Sequence, residues 1–265
     1  MTDAWMPGAQ RVPAAADGGS MKGGAPRAVW FVLFADPLLV SAHAAAEHLI
    51  QVGRPSHLVW NPLSGEVTQL IPVVRAGRGL GWVDRPGVAA GAAGPGWVRT
   101  PGWWNVPRPL ASEPTTPAAR DGLAGVNTEG RVCAQIAVIG HPRAPFTDGP
   151  VARLHEIVSW LDSWHVKRGW PAGRPPAFPG GTRPARQSRR DWSTGGHFGA
   201  SQVPGCSCPG PGAIDIERLT GAAALAGAPR PAAGNDRART AAGQPEVDVL
   251  AAAAAMPGFP LSTVR

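Results

Sequence analysis

The stretch that decides the fold is AVWFVLF, at residues 28–34. It contains no charged or polar side chain and combines β-branched with aromatic residues, which is typical of a strand buried on both faces. Asp36 and Pro37 end this run, and Ser41 is suited to cap the Ala-rich helix predicted over 42–52. We therefore predict a central strand followed by a helix.

The segments that follow extend this pattern into a sheet. Residues 57–60 and 66–74 are predicted strands, separated by a turn whose last residue is Gly65. RVCAQIAVI, at residues 131–139, is a further predicted strand, and residues 151–164 place their apolar side chains on one face of a helix. This order predicts an α/β fold, a mixed central β-sheet flanked by helices.

Composition divides the rest of the chain. The 35 glycines and 30 prolines make up about a quarter of the 265 residues, which indicates much irregular structure. We predict a disordered leader at 1–27, a domain at 28–217 interrupted by an irregular Gly/Pro/Trp-rich insertion at 75–124, and an Ala/Gly/Pro-rich tail at 218–265. The tail is predicted to be mostly disordered, with a short helix over 247–256 as an alternative.

The formal net charge of +7 at pH 7 suits an anionic partner, because arginine attracts phosphate and carboxylate groups. The densest basic segment is RPARQSRR, at 183–190, with Trp192 close behind it. A solvated loop is the more common role of such a segment. We therefore expect no nucleic acid partner.

No apolar run reaches the roughly 18 residues needed to cross a bilayer, so no transmembrane segment is predicted. The text from Met21 onward imitates a signal peptide, with a basic start and an apolar middle. Asp36 lies within that middle and argues against export. The predicted location stays open between the cytoplasm and the cell wall.

Four segments carry a family resemblance: SHLVWNPLSGEVTQLIP (56–72), VNTEGRVCAQIAVIG (126–140), IVSWLDSWHVKRGWPAG (157–173) and GGHFGASQVPGCSCPGPGAID (195–215). Together they resemble the type 2 N-acetylmuramoyl-L-alanine amidases, whose superfamily includes the peptidoglycan recognition proteins. The resemblance is closest to actinobacterial and phage-lysin forms. It implies an amidase-like α/β fold, peptidoglycan or a muropeptide as partner, and a zinc-bound water that hydrolyses an amide.

The residues at the family's site positions differ from that pattern. Where relatives read V-W-H-T-T-E and G-H-S-Q-V-P, this chain has Phe31 and Ala200 in place of the two histidine ligands. Where relatives read Q-I-E-V-I-G, Ala137 stands at the catalytic acid. The third ligand position falls on Gly210 in one alignment register and on Cys208 in the other. Since phenylalanine and alanine cannot coordinate zinc, the resemblance implies a catalytically inactive domain without zinc.

Two alternatives remain at this point. His197 with Cys206 or Cys208 could supply substitute ligands, which would make the chain an active zinc amidase. The simpler interpretation of the two cysteines is free thiols in a loop. The skewed composition also fits a decayed gene product without function. His57 is expected to have a packing role.

Overall fold

The centre of the fold is a six-stranded sheet built around the strand at residues 27–32. The computed structural model describes residues 3–80, 97–99, 105–107, 125–178, 185–206 and 210–222. Its strands are β1 (Gln10–Arg11), β2 (Arg27–Val32), β3 (Leu58–Trp60), β4 (Val67–Gln69), β5 (Trp97–Arg99), β6 (Asn105–Pro107), β7 (Cys133–Val138) and β8 (Gly196–Gly199). Its α-helices are α1 (Ala42–Gln51), α2 (Leu154–Ser163), α3 (Arg189–Thr194) and α4 (Ile216–Thr220).

The sheet is mixed, in the order β1-β4-β3-β7-β2-β8. Strand β2 pairs in parallel with both β7 and β8, and β3 pairs in parallel with β7. The β3–β4 pair is antiparallel. The predicted α/β class with a mixed central sheet and flanking helices is therefore confirmed.

Helix α1 follows the signals in its sequence. The Ser41 hydroxyl accepts a hydrogen bond from the Ala44 N–H at 3.1 Å, which satisfies one of the free donors of the first turn. The helix ends before Gly53, whose φ of 68° suits glycine. Its buried face is made mainly of alanines, so the helix lies close to the sheet.

Helix α2 begins at Leu154, three residues later than predicted. Arg153 has a left-handed φ of 63°, which interrupts helical geometry at that point. The buried side chains of α2 pack against the face of the sheet formed by Trp30, Ile136 and Val138. Residues of α1 pack against the other face, together with Val59 and Ala137.

The prediction of a disordered leader at 1–27 is wrong for the part of it that the structure describes. Met6 is only 1 % exposed, and β1 pairs in parallel with β4. Asp17 accepts two hydrogen bonds from Arg75, at 2.8 and 2.9 Å. The prediction was based on the low hydrophobicity of the segment. Hydrophobicity does not predict these contacts, because most of them are made by backbone and polar groups.

Two further predictions about irregular segments need correction. The Gly-rich text at 195–199 contains the edge strand β8, and the Arg-rich text before it contains α3. Within the insertion at 75–124, β5 and β6 form an antiparallel pair. The remainder of the insertion from residue 81 and the tail from residue 223 lie outside the described residues. In the described part of the chain, no helix combines the length and apolar character needed to cross a bilayer.

Candidate functional site

Three residues from distant parts of the sequence meet on one face of the sheet. Phe31 pairs in register with Ala137 on the neighbouring strand β7. On the other side of β2, Trp30 pairs with Gly199, so Ala200 follows beside Phe31. Neighbouring strands lie about 4.8 Å apart, which places the three positions side by side. We call Phe31, Ala137 and Ala200 the apolar patch.

The side chains of the apolar patch are packed against their neighbours. Ala137 and Ala200 are fully buried, and the partly buried Phe31 contacts the clusters on both sides of it. The Phe31 ring lies against Gly79, where an added Cβ would sit 3.1 Å from Cζ of the ring. The three side chains offer no hydrogen-bond donor or acceptor, so they cannot bind a polar group or a metal.

The third family position also lies near the apolar patch when it is taken as Gly210. A Cβ added to Gly210 would approach the Cβ of Ser201 to 3.0 Å, and Ser201 directly follows Ala200. Among the described residues, the buried Ser201 hydroxyl has no hydrogen-bond partner. Cys208, the position in the other register, lies outside the described residues.

These residues do not fit a zinc ion. Zinc requires three or four nitrogen, sulfur or carboxylate ligands in tetrahedral arrangement. The apolar patch supplies none of them, and Gly210 has no side chain. Within the described residues, no group of three or more His, Cys, Asp and Glu side chains could hold a metal ion.

Of the proposed substitute ligands, His197 and Cys206 lie on opposite faces of the sheet. His197 lies in β8 and packs on the Trp30 face, stacked on Trp30 at 6.0 Å and tilted against Trp170 at 5.5 Å. Its Nδ1 accepts a hydrogen bond from the Trp30 indole at 2.9 Å, and its buried Nε2 has no hydrogen-bond partner in the described part of the chain. Cys206 packs in the cluster on the opposite face. The structure therefore does not bring His197 and Cys206 together.

Cys206 differs from the free loop thiol of the simpler interpretation, and Cys208 lies outside the described residues. Cys206 is 2 % exposed and disulfide-bonded. Cys133 is a free thiol, but it is fully buried, and burial raises its pKa to about 12. A thiol with such a pKa is protonated at neutral pH and is a poor nucleophile or metal ligand.

A hydrogen-bonded network lies directly beside the apolar patch, on the same face of β7. The Gln135 side chain accepts from the Gly79 N–H at 2.8 Å and donates to Asn127 Oδ1 at 2.6 Å. His57 accepts from the Gln135 N–H through Nδ1, and its Nε2 lies 2.8 Å from the Arg75 carbonyl. Burial lowers the pKa of His57 to about 4, so this ring is neutral. Its expected packing role matches these contacts.

An aromatic group that no sequence signal predicts lies at the carboxyl ends of β2 and β7. The rings of Phe34, His141 and Phe178 meet edge to face, with centroids 5.1 to 6.2 Å apart. Phe34 has a left-handed φ of 52°, which is strained for a bulky residue. Arg143 lies 5.7 Å above the Phe178 ring. We call Phe34, His141 and Phe178 the aromatic wall. No periodic signal marks these loop residues in the sequence.

The basic segment before β8 is largely neutralised where it is described. Arg186 pairs with Asp191 at 2.9 Å, and Arg189 pairs with Glu129 at 2.7 Å. Trp192 is 1 % exposed and lies beneath the Arg27 guanidinium. Its indole is therefore unavailable for stacking on bases or sugars, which is in keeping with a segment that belongs to the domain itself.

Comparison with known proteins adds no assignment: no family model, curated protein or solved structure matches the chain.

Proposed function

We propose that this chain is an amidase-like domain that binds peptidoglycan fragments without hydrolysing them. One observation carries the proposal. Phe31, Ala137 and Ala200 were assigned to three family site positions from separate stretches of sequence; the strand register pairs Phe31 with Ala137, and Phe31 packs against the cluster that contains Ala200. Such convergence supports the resemblance, because an accidental alignment would scatter these positions across the fold.

The chemistry of the apolar patch supports the loss of hydrolysis. A zinc amidase needs a metal-activated water and a group that transfers protons. Replacing the ligands alone would leave a buried polar acid without partners, at a cost of about 1–3 kcal/mol or more. Here the acid position is alanine as well, so the patch is apolar throughout and carries no such penalty.

The aromatic wall offers a binding surface at the carboxyl ends of β2 and β7, where Phe34 packs against the cluster on the Trp30 face. Ligands of α/β sheets commonly bind outside the carboxyl ends of the parallel strands, which is where Phe34 and His141 lie. Arg143 at the edge of the wall is exposed, and its cation suits a peptide carboxylate. A muropeptide combines such carboxylates with apolar alanine and lactyl groups that would contact the rings.

The test is a binding and hydrolysis assay on the full chain with purified muropeptides. We expect saturable binding, no release of stem peptide, and about tenfold weaker binding in Arg143→Gln, the loss of one charge-assisted contact. Arg190→Gln, another exposed arginine, is the matched control and should bind normally. Release of stem peptide would support the active amidase, and a folded protein that binds no muropeptide would refute the proposed function.

Metal analysis separates the same alternatives independently of activity. Protein purified from zinc-replete medium should contain far less than one zinc per chain. One equivalent of zinc that falls in Cys208→Ser would contradict the inactive assignment and restore the substitute-ligand hypothesis.

A further inference from the structure

Positive charge collects at the amino ends of the parallel strands β2, β7 and β8, at the end of the sheet away from the aromatic wall. Three exposed cations, Lys22, Arg131 and Arg189, lie in the segment before β2, the loop before β7 and helix α3 before β8. We call these three residues the basic patch. We propose that the basic patch binds a linear polymer of phosphodiesters without bases, such as a polyol phosphate. The proposal does not depend on the proposed function, since it concerns other residues and the other end of the sheet.

Fixed contacts gather the three segments of the basic patch around one loop. The Lys22 N–H donates to the Thr128 carbonyl at 2.8 Å, so the segment before β2 lies against the loop before β7. The Arg189 guanidinium donates to Glu129 Oε1 at 2.7 Å, which brings α3 to the same loop. The cations therefore belong to one surface of the folded protein.

One carboxylate serves this surface. Glu129 accepts from Arg189 through Oε1 and from the Trp192 indole through Oε2, at 2.7 and 2.6 Å, so both of its oxygens are bonded. Within the described part of the chain, Lys22 and Arg131 form no ion pair. The patch therefore keeps an excess of positive charge, which attracts an anion.

A buried arginine next to the basic patch adds to this charge. Arg27 is only 4 % exposed, and its Nε donates to the Trp192 carbonyl at 2.7 Å. Its Nη1 is buried and has no hydrogen-bond partner among the described residues. Arg27 interacts electrostatically with Arg189 and Glu129, so it lies close to the patch. Because a buried charge is weakly screened, this guanidinium strengthens the attraction for an anion on the surface.

The surroundings of the basic patch favour a phosphate polymer without bases. Trp192 is 1 % exposed, so its indole cannot stack on a nucleic acid base. The exposed leucines Leu38, Leu39 and Leu63 follow the carboxyl ends of β2 and β3, so they would face away from a membrane bound at the patch. A flexible chain of phosphates can contact cations from three segments at once, whereas a single small anion contacts only some of them.

The experiment titrates the full chain with a fluorescently labelled glycerol phosphate dodecamer and follows binding by anisotropy. We expect saturable binding that weakens at least about tenfold between about 50 and about 200 mM NaCl, because bound phosphates release counterions. Arg131→Glu should weaken binding at least about tenfold at the lower salt concentration, since it removes one contact and adds repulsion. Lys22→Glu, in a different segment, should have a similar effect. The matched control is Arg174→Glu, an exposed arginine beyond the patch, which should bind normally.

Four outcomes would overturn the proposal. Two of them are absence of binding at the lower salt concentration in a folded protein and equal binding by Arg131→Glu and Arg174→Glu. The third is tighter binding of an oligothymidylate with the same number of phosphates, which would make nucleic acid the partner. The fourth is binding only to vesicles that contain phosphatidylglycerol, which would make a membrane the partner. Loss of muropeptide binding with the polymer still bound would refute only the proposed function.

Discussion

One face of the sheet has two adjoining halves, a polar half around Gln135 and an apolar half around Ala137, and they differ in the kind of side chain that they bury. In the polar half, Gln135 is fully buried and its side chain is bonded to Gly79 and Asn127. In the apolar half, two residues further along β7, Ala137 stands beside Phe31 and offers no polar atom. The comparison teaches that a buried amide is retained at Gln135 because Gly79 and Asn127 supply its partners.

Placing an acid in the apolar half should have the largest effect. Ala137→Glu introduces the carboxylate of the resembled family, but the described residues packed around this position are apolar and offer it no cation or side-chain donor. We expect a loss of about 5 kcal/mol in the free energy of unfolding at neutral pH, or failure to fold. Urea denaturation measures the loss, and low pH should recover part of it because the neutral acid costs less to bury.

The control for that substitution is Ala213→Glu, at an exposed alanine, which should change stability by less than about 0.5 kcal/mol. If Ala137→Glu were as stable as this control, the apolar half would have to open to water or contain an unrecognised cation. Either result would break the contrast between the two halves.

The pH dependence of stability extends the comparison to both faces of the sheet. Burial lowers the pKa of His57 to about 4 and that of His197 to about 3. Between these values and the ordinary pKa of about 6.5, only the unfolded chain binds the proton, so stability is full above 6.5 and falls as the pH decreases. Each ring contributes about 1.4 kcal/mol per pH unit, or about 2 kcal/mol between pH 7 and 5.

Urea titrations at pH 7 and pH 5 measure this dependence. His197→Phe removes one of the two rings and should reduce the loss from about 4 to about 2 kcal/mol, whatever its effect at pH 7. Stability that stays constant between pH 7 and 5 would mean that protons reach both rings in the folded protein. Solvent would then have access to both histidine rings in the folded protein.

The sequence predicts the sheet better than it predicts the surroundings of the sheet. AVWFVLF and RVCAQIAVI are continuous apolar runs, and Ser41 and Gly53 are local signals, so their elements could be identified without tertiary information. Strand β8 could not, because Gly196 and Gly199 have low strand propensity and the pairing with β2 decides their conformation. The ordered N-terminal segment depends on contacts across the fold, such as Arg75 with Asp17.

The candidate site shows the same division. Each resembling motif identifies one position, Phe31, Ala137 or Ala200, by itself. Only the structure shows that the three positions are close together. The face on which His197 lies follows from alternation along β8, which the glycine-rich text did not reveal, and Cys206 packs on the other face beyond the end of that strand. Phe34 and Phe178 come from loops that are far apart in the sequence, and neither loop sequence predicts that the two rings meet.

A milder change in each half gives the smallest expected effect and the most direct comparison. Gln135→Met preserves most of the side-chain volume but removes the hydrogen bonds to the Gly79 N–H and to Asn127 Oδ1. We expect a loss of about 3 kcal/mol in the free energy of unfolding. Phe31→Leu, in the apolar half, removes only ring contacts at a partly buried position and should cost about 1 kcal/mol.

Both variants are measured by urea denaturation, with Gln51→Met at an exposed helix position as the control for the chemical change itself. The informative result is which of the two variants, Gln135→Met or Phe31→Leu, loses more free energy of unfolding. If Phe31→Leu were the more damaging change, packing rather than hydrogen bonding would hold this face together. The apolar patch would then contribute more to the stability of the fold than the buried hydrogen bonds beside it.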